Sequence, residues 1–417
     1  MGAPNKSVPL PLADEHLNEL RRLTDTAGGQ IVGTVRQRVD RPHPRYYIGE
    51  GKADDLKEVV FQSEADLVIF DEELSPAQGK NLEDLVGVRV LDRSELILDI
   101  FSTRARSREA MMQVELAQLE YLLPRLKRMW SHLSRIRGGI GLRGPGETQL
   151  ETDRRLIGER ISDLKAKIRA VTRAREVQRR GRAGQFRASL VGYTNAGKSS
   201  LLRALSGDTD ILVEDRLFAT LDSATRNVAL GDGYAALITD TVGFIRKLPH
   251  HLVASFRSTL EEAREADMLL HVVDGSFPDW QGQFDVVEDV LKELRLDERP
   301  QILVFNKADR ITHAEEKALR ERVRAFEPRP AVFVSALDPA SLVALRETLK
   351  AHIRLGLSCV HLELRADDGE SLAWLYREGE VLERLDHGAM IDVKARISGR
   401  ILGQLRQRQG VLIVEIA

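Results

Sequence analysis

Gly192-Tyr193-Thr194-Asn195-Ala196-Gly197-Lys198-Ser199 is the stretch on which the fold reading turns. Its spacing, a glycine, four residues and then Gly-Lys-Ser, is that of a phosphate-binding loop. The context agrees: the apolar run Ser189–Val191 precedes it as a buried strand, and Ser200–Leu205 continues it as a helix. A glycine-rich turn points successive backbone N–H groups into one concavity, where they take phosphate oxygens. The helix N-terminus adds a positive dipole. Lys198 supplies charge for the β- and γ-phosphates, and the Ser199 hydroxyl a ligand for Mg²⁺. Residues Gly192 to Ser200 are therefore expected to cradle a nucleotide, with the base unspecified.

Three later motifs specify it. Asp240-Thr241-Val242-Gly243 closes the apolar run Ala235–Thr239. Asp240 is placed to hold the metal through water, and the Gly243 N–H to meet the γ-phosphate. Asn306-Lys307-Ala308-Asp309 follows the run Ile302–Phe305. A carboxylate at Asp309 accepts two hydrogen bonds from the N1 and N2 edge of guanine, a pair that adenine lacks. Ser335-Ala336-Leu337 follows Ala331–Val334 and offers a backbone N–H to the guanine oxygen. The four motifs come in order, each at the C-terminal end of an expected strand, which is where open parallel sheets bind ligands.

Between the loop and Asp240 lies Phe218-Ala219-Thr220-Leu221-Asp222. It reads as a switch, with Thr220 expected to reach Mg²⁺ when the γ-phosphate is present and Thr225 as the alternative. The expected metal ligands are Ser199, Thr220 and Asp240, and the candidate catalytic residues Lys198, Thr220 and Gly243. Phe244 follows Gly243, where Ras-type GTPases carry a glutamine that orients the attacking water. A phenyl ring cannot do this, so slow intrinsic hydrolysis is expected. Asn195 is the residue type seen in potassium-stimulated GTPases. That makes K⁺ a candidate second cation, supplying charge in place of an arginine finger.

Outward from these motifs the chain divides into four. Residues 184–355, with a further apolar run Met268–Val273, alternate strand and helix. They predict a doubly wound, mainly parallel sheet, a P-loop GTPase domain of the α/β class. Residues 1–105 predict a small α/β domain with parallel strands at Ile31–Val35, Leu67–Phe70 and Val88–Leu91 and a helix from Lys52 to Gln62. Gly49-Glu50-Gly51-Lys52 only faintly resembles a phosphate loop and reads as a glycine turn before that helix.

Residues 106–183 place Met112, Leu116, Leu119, Leu123, Leu126, Trp130 and Leu133 at steps of four and three. Leu150, Ile157, Ile161, Leu164, Ile168 and Val171 nearly repeat the pattern. Two amphipathic helices in an antiparallel hairpin follow. A kink is expected at Pro124, a glycine-rich tip at 137–147, and a capping box, Thr148 with Glu151, at the start of the second helix. Residues 356–417 predict a small α+β domain. Its strand-like runs are Val360–Leu364, Ala389–Val393 and Val411–Ile416, around a helix near Ser371–Glu378, and it has no catalytic constellation.

Composition sets the class. With 42% hydrophobic and 30% charged residues, the 417-residue chain is an ordinary globular protein of several domains. Its one cysteine, Cys359, excludes an internal disulfide and suits a reducing compartment. No secretory leader or bilayer-length apolar run is evident, so a cytoplasmic monomer with no membrane insertion is expected. The net charge of −2 hides an asymmetry: residues 101–185 hold 20 Lys/Arg against 9 Asp/Glu, a net charge of +11. A block this basic in a near-neutral chain points to an anionic partner.

Taken together the motifs resemble the HflX family of ribosome-associated GTPases. The resemblance rests on Gly138–Arg155, Leu74-Ser75-Pro76-Ala77-Gln78, Leu98-Asp99-Ile100-Phe101, Gln113–Leu119, Tyr47–Lys52 and Asp240–Phe244 as well as the phosphate loop, and spans residues 30 to 355. It implies a GTP hydrolase that associates with the large ribosomal subunit and splits or rescues ribosomes, or acts in their biogenesis, under stress. The hairpin tip would reach toward the peptidyl-transferase region, with Arg135, Arg137 and Arg143 as candidate contacts to ribosomal RNA. The alternative is a GTP-binding assembly scaffold of slow turnover. Departures from the family pattern are Ser223 in place of proline after Asp222 and Asp338-Pro339 after Leu337, and the N-terminal domain is expected to lack a first strand.

Overall fold

The computed structural model describes residues 1–129, 145–180, 185–211, 213–248, 262–408 and 411–416, with backbone alone at 127–129, 145–150, 175–180, 378, 400, 415 and 416. The chain forms two compact units. The first comprises Met1–Glu176, Glu214–Asp222 and Arg246–Thr259; the second comprises Val177–Val213, Ser223–Ile245 and Leu260–Ala417.

In the first unit, α1 (Leu10–Thr26) buries Leu17, Leu20 and Leu23 at the three- and four-residue spacing of one helical face. Gly49 is the N-cap of α2 (Glu50–Gln62), and Lys52 pairs with Asp55 at 3.1 Å, so the faint phosphate-loop lookalike is a helix start. Strand β1 (Leu67–Phe70) pairs in parallel with β2 (Arg89–Asp92). Between them, α3 (Pro76–Val86) opens on a capping box of Ser75 and Gln78 with proline in its first turn. Helix α4 (Arg93–Arg104) buries Leu98, Ile100 and Phe101.

The expected strand Ile31–Val35 does not form. Pairing reaches only its last residue: the Gly2 N–H donates to the Val35 carbonyl at 3.0 Å, Gly2 bridges Arg36 and Asn5 bridges Val39, and the Met1 carbonyl accepts from the Asp71 N–H at 2.9 Å. A strand exists only where a neighbour supplies hydrogen bonds. Residues Gly29 to Val35 instead line a cavity of about 420 Å³ together with Leu17, Leu20, Val60 and Leu67.

The hairpin helices are α5 (Arg108–Met129) and α6 (Pro145–Arg180). Helix α5 runs through Pro124. Along α6 the periodic set Ile157, Ile161, Leu164, Ile168 and Val171 is the partly or fully buried seam, with exposed residues between most of its members. Arg160–Glu115 at 2.7 Å and Lys165–Glu120 at 2.7 Å join the two helices. Helix α6 starts at Pro145, which puts Thr148 inside the helix rather than at its cap; proline suits the first turn because its missing N–H is one that would go unpaired there. The tip lies outside the described residues, as do Trp130 and Leu133.

The second unit is built on a six-stranded sheet. In chain order its strands are β3 (Arg187–Gly192), β4 (Ala224–Gly231), β5 (Tyr234–Asp240), β6 (Met268–Asp274), β7 (Gln301–Asn306) and β8 (Ala331–Phe333). Their spatial order is β4-β5-β3-β6-β7-β8, parallel except for the β4–β5 hairpin. The central strands are buried on both faces, hence their unbroken apolar runs. Helices α7 (Lys198–Ser206), α8 (Trp280–Glu293), α9 (His313–Phe326) and α10 (Leu342–Leu355) complete the α/β alternation.

Strand β4 was not anticipated. It turns into β5 through Asp232-Gly233, both with positive φ (54° and 77°), the geometry of a tight hairpin.

Beyond α10 come β9 (Ser358–Arg365), α11 (Gly369–Glu378), β10 (Glu380–His387), β11 (Met390–Ile397), α12 (Gly399–Leu405) and β12 (Val411–Ile416). The order β10-β11-β9-β12, all antiparallel, makes this βαββαβ segment a ferredoxin-like α+β domain. Glu380 fastens it to the six-stranded domain, accepting from the Tyr234 hydroxyl at 2.5 Å and from Arg354 at 2.7 Å. Among the described residues no helix is long and apolar enough to cross a membrane.

Candidate active site

The phosphate loop leaves β3 at Gly192 and enters α7 at Lys198. Two of its positions admit only glycine. Gly192 (φ +152°) lies so close to β6 that a Cβ would sit 2.2 Å from the Val272 carbonyl oxygen. Gly197 (φ +91°) lies so close to Asn306 that a Cβ would sit 2.2 Å from its side-chain nitrogen. Asn195 also adopts positive φ (60°), which asparagine tolerates better than most residues.

Lys198 is buried, its ammonium donating to the carbonyls of Gly192 (3.2 Å) and Tyr193 (3.0 Å). Burial lowers its pKa to about 8 against the opposing pull of Asp240. The Ser199 hydroxyl donates to the Asp240 carboxylate at 2.6 Å. Thr241 anchors the start of its motif through a hydroxyl bond to the Leu190 carbonyl at 2.7 Å. Gly243 lies against the loop: a Cβ there would be 2.6 Å from the Thr194 Cα and 2.9 Å from the Lys198 ammonium. Phe244 donates its N–H to the Gly192 carbonyl (3.0 Å) and accepts from the Thr194 N–H (2.7 Å), with its ring buried.

The motifs after β7 and β8 join the same assembly. The Asn306 amide donates to the Ala196 carbonyl at 3.0 Å, and its oxygen accepts from the Ala336 N–H at 3.1 Å. One side chain thus holds the phosphate loop and the Ser335-Ala336-Leu337 loop together. Lys307 donates to the Asn195 carbonyl at 2.8 Å and pairs with Asp274 at 2.7 Å. The Ser335 hydroxyl donates to the Asp309 carboxylate and orients it. Asp338-Pro339 builds a tight turn here: the Ser341 hydroxyl bonds the Ser335 carbonyl at 3.0 Å, and Asp338 accepts from the Ala340 N–H at 3.0 Å. Leu337 is 78% exposed beside it.

The sequence reading missed Asp274. Its signal was an acidic residue ending the apolar run Met268–Val273, in the same position relative to its strand as Asp240.

The structure places the remaining candidates elsewhere. Phe218 to Asp222 belongs to the first unit, where Phe218 packs on Phe101 of α4, the carboxylate of Asp222 bonds the residues before α5, and Leu221 is buried. The alternative Thr225 stands on β4 with its hydroxyl 2.9 Å from that of Thr239. Arg135, Arg137 and Arg143 lie outside the described residues.

A mainly parallel sheet with a glycine-lysine-serine loop on its first strand, an aspartate against that serine, and an Asn-Lys-x-Asp motif bonded to the loop define a P-loop GTPase, an enzyme that binds and hydrolyses GTP. Models of the family cover the chain in succession. A GTP-binding GTPase N-terminal region matches residues 14–102, a GTP-binding GTPase middle region residues 104–182, and a 50S ribosome-binding GTPase domain residues 187–307. The GTPase HflX of Caldanaerobacter subterraneus subsp. tengcongensis is 45% identical over 401 residues, 96% of this chain and 91% of the relative. The GTPase HflX of Escherichia coli K12 is 43% identical over 366 residues, 87% and 85% of the two chains. Among solved structures, SsGBP in complex with GDP overlaps at a TM-score of 0.48 and 25% identity, over 84% of this chain and 97% of that one. The chain belongs to the HflX family.

Proposed function

We propose that this GTPase works on the large ribosomal subunit, with its nucleotide state deciding whether it stays bound. The supporting observation is the pairing of the catalytic domain with the +11 stretch at 101–185, which includes the two hairpin helices. Lys and Arg on such a hairpin suit the phosphates of ribosomal RNA, read by shape and backbone rather than by sequence. The matched G-domain model is itself described as a 50S ribosome-binding GTPase. Splitting or rescuing ribosomes under stress is the role this reading favours, carried out by a cytoplasmic monomer, with Arg135, Arg137 and Arg143 contacting RNA.

The backbone N–H groups of Asn195 to Ser200 take the phosphate oxygens, and Lys198 turns from the loop carbonyls to the β- and γ-phosphates. Asp309 accepts from guanine N1 and N2, Ala336 donates to the guanine oxygen, and Asn306 keeps the two halves of the pocket in register. The Ser199 hydroxyl and the Asp240 carboxylate, 2.6 Å apart, form the oxygen pair that Mg²⁺ prefers. Thr220 would join them when the γ-phosphate is present, and an ion held there would supply positive charge for the phosphoryl oxygens. Asn195 is the residue that would hold K⁺.

The test is GTP turnover in potassium buffer with and without large subunits, beside Lys198→Ala. A large rise with subunits, lost in the variant, is expected. No rise would leave a GTP-binding scaffold of slow turnover, the reading that the buried ring of Phe244 also fits.

A further inference from the structure

Glu214 to Asp222 is attached at three points, and all three fall on residues 101–107, the last turn of α4 and the three residues that link it to α5. Glu214 pairs with Arg104 at 2.8 Å. Phe218 meets Phe101 edge to face, ring centroids 4.7 Å apart at 80°, and both rings are fully buried. The Asp222 carboxylate accepts from the N–H groups of Arg106 (3.0 Å) and Ser107 (3.2 Å), and also from the Ser107 hydroxyl. Ser107 in turn accepts from the Ala110 N–H at 3.1 Å, which makes it the N-cap of α5.

Helix termini leave their first N–H groups unpaired, and an acceptor that satisfies them, particularly a negative one, stabilises the helix. Asp222 thus completes the cap of a helix more than a hundred residues earlier in the chain. Phe218 holds a positive φ of 55°, a conformation an aromatic residue keeps only where packing enforces it.

We propose that Asp222 is a positioning residue that couples the switch to the helical hairpin. The proposal rests on reading Thr220 as the residue that senses the γ-phosphate. Thr220 stands two residues from each of the two anchors, Phe218 and Asp222. It cannot move to a metal without loading one or both of them, and the Asp222 anchor is the N-terminus of α5. Helix α5 is tied to α6 by Arg160–Glu115 and Lys165–Glu120, so a shift at the cap is carried into the hairpin. In the GDP state Asp222 caps α5; in the GTP state Thr220 draws the segment away and the cap opens.

Hydrogen exchange of the full chain with Mg²⁺ and either GDP or a non-hydrolysable GTP analogue tests this. The first-turn amides of α5, residues 108–112, are expected to exchange about fivefold faster with the analogue, the factor one lost cap confers. In Asp222→Ala they exchange at the faster rate with both nucleotides. Asp222→Asn, which keeps the shape and removes the charge, gives a smaller difference between nucleotides than the wild type. A purely structural cap would speed exchange in the variants while leaving the wild type indifferent to the nucleotide. That result, or a nucleotide difference that survives in Asp222→Ala, overturns the proposal. Thr220→Ala separates the two readings. If it keeps the nucleotide difference, another residue is the sensor and the coupling through Asp222 stands.

Discussion

Lys198 gives the most direct test of the site's electrostatics. Its buried ammonium faces two carbonyls, and burial lowers its pKa from 10.5 to about 8, more than Asp240 raises it. Nucleotide phosphates reverse this by placing negative charge against it, so the bound protein should keep Lys198 protonated beyond pH 9. At pH 8.5 a group of pKa about 8 retains about a quarter of a proton, so GDP binding should take up about 0.75 proton per site; at pH 7 the figure is about 0.1.

Titration calorimetry of GDP in two buffers of different ionisation enthalpy measures the uptake directly. The dissociation constant should also rise above pH 8, with a slope approaching tenfold per unit. The sign for stability follows from the same shift. The folded pKa lies below the unfolded one, so the ligand-free protein bears a cost on the order of 3 kcal/mol below pH 8. That cost fades as pH climbs from about 8 to 10.5. Equal proton uptake at pH 7 and pH 8.5 would refute the argument and show that the empty site leaves the ammonium well solvated.

Other outcomes follow from the same geometry. Asp309→Asn removes a charge-assisted pair of acceptors and should weaken GDP binding by roughly 10- to 100-fold; unchanged affinity in a fluorescence titration would take Asp309 out of the base pocket. Arg93 is buried between Asp71 (2.7 Å) and Glu19 (3.0 Å) and donates to the Arg246 carbonyl. Arg93→Met takes a buried cation from both carboxylates and leaves Asp71 to Lys247, which should cost about 3 kcal/mol in urea unfolding of the first unit. Trp280 is buried edge-on to Phe305 and Phe326; Trp280→Ala should lower stability by about 3–5 kcal/mol by calorimetry, a core truncation that leaves a cavity. If Asn195 holds potassium, turnover is faster in K⁺ than in Na⁺ at matched ionic strength and Asn195→Ala erases the difference, whereas equal rates in the wild type dismiss K⁺.

What could be read from the sequence was what local chemistry determines. The strands β3, β6 and β7 announce themselves as apolar runs because both faces of a parallel sheet are buried at its centre, while β5 and β8 are apolar but only partly buried. The site motifs follow because each sits where such a strand ends. The seam of α6 was legible as a period, and its buried residues are the periodic ones. What was missed depends on partners. Strand β4, with burial alternating along part of its length, shows only half the apolar signal, though Asp232-Gly233 marked the hairpin that makes it. Ile31–Val35 has strand composition and no ladder, since no residue sequence can supply its own neighbour. The start of α6 shifted because proline at the first turn outweighed a capping box three residues later. The attachment of Phe218 and Asp222 to residues 101–107 joins points more than a hundred residues apart, which no spacing rule reaches.

Phe244 ties these observations to the rate of hydrolysis. The residue after the switch glycine in Ras-type enzymes holds the attacking water with a side-chain amide. Here that side chain is a buried ring, and both backbone groups of the residue are engaged with the phosphate loop, its N–H with Gly192 and its carbonyl with Thr194. While this pairing lasts, position 244 offers the water neither a donor nor an acceptor. Gly243 is meanwhile packed against Lys198, the group proposed to meet the γ-phosphate. Fast hydrolysis therefore requires that residues 243–244 be lifted from the loop, or that an outside group orient the water. The chain beyond them continues into Arg246 and Lys247, which pair with Glu15 at 3.3 Å and Glu72 at 3.2 Å in the first unit. Lifting the segment has to work against those pairs, which is the physical ground for expecting slow unaided hydrolysis and faster turnover with a partner that frees the segment.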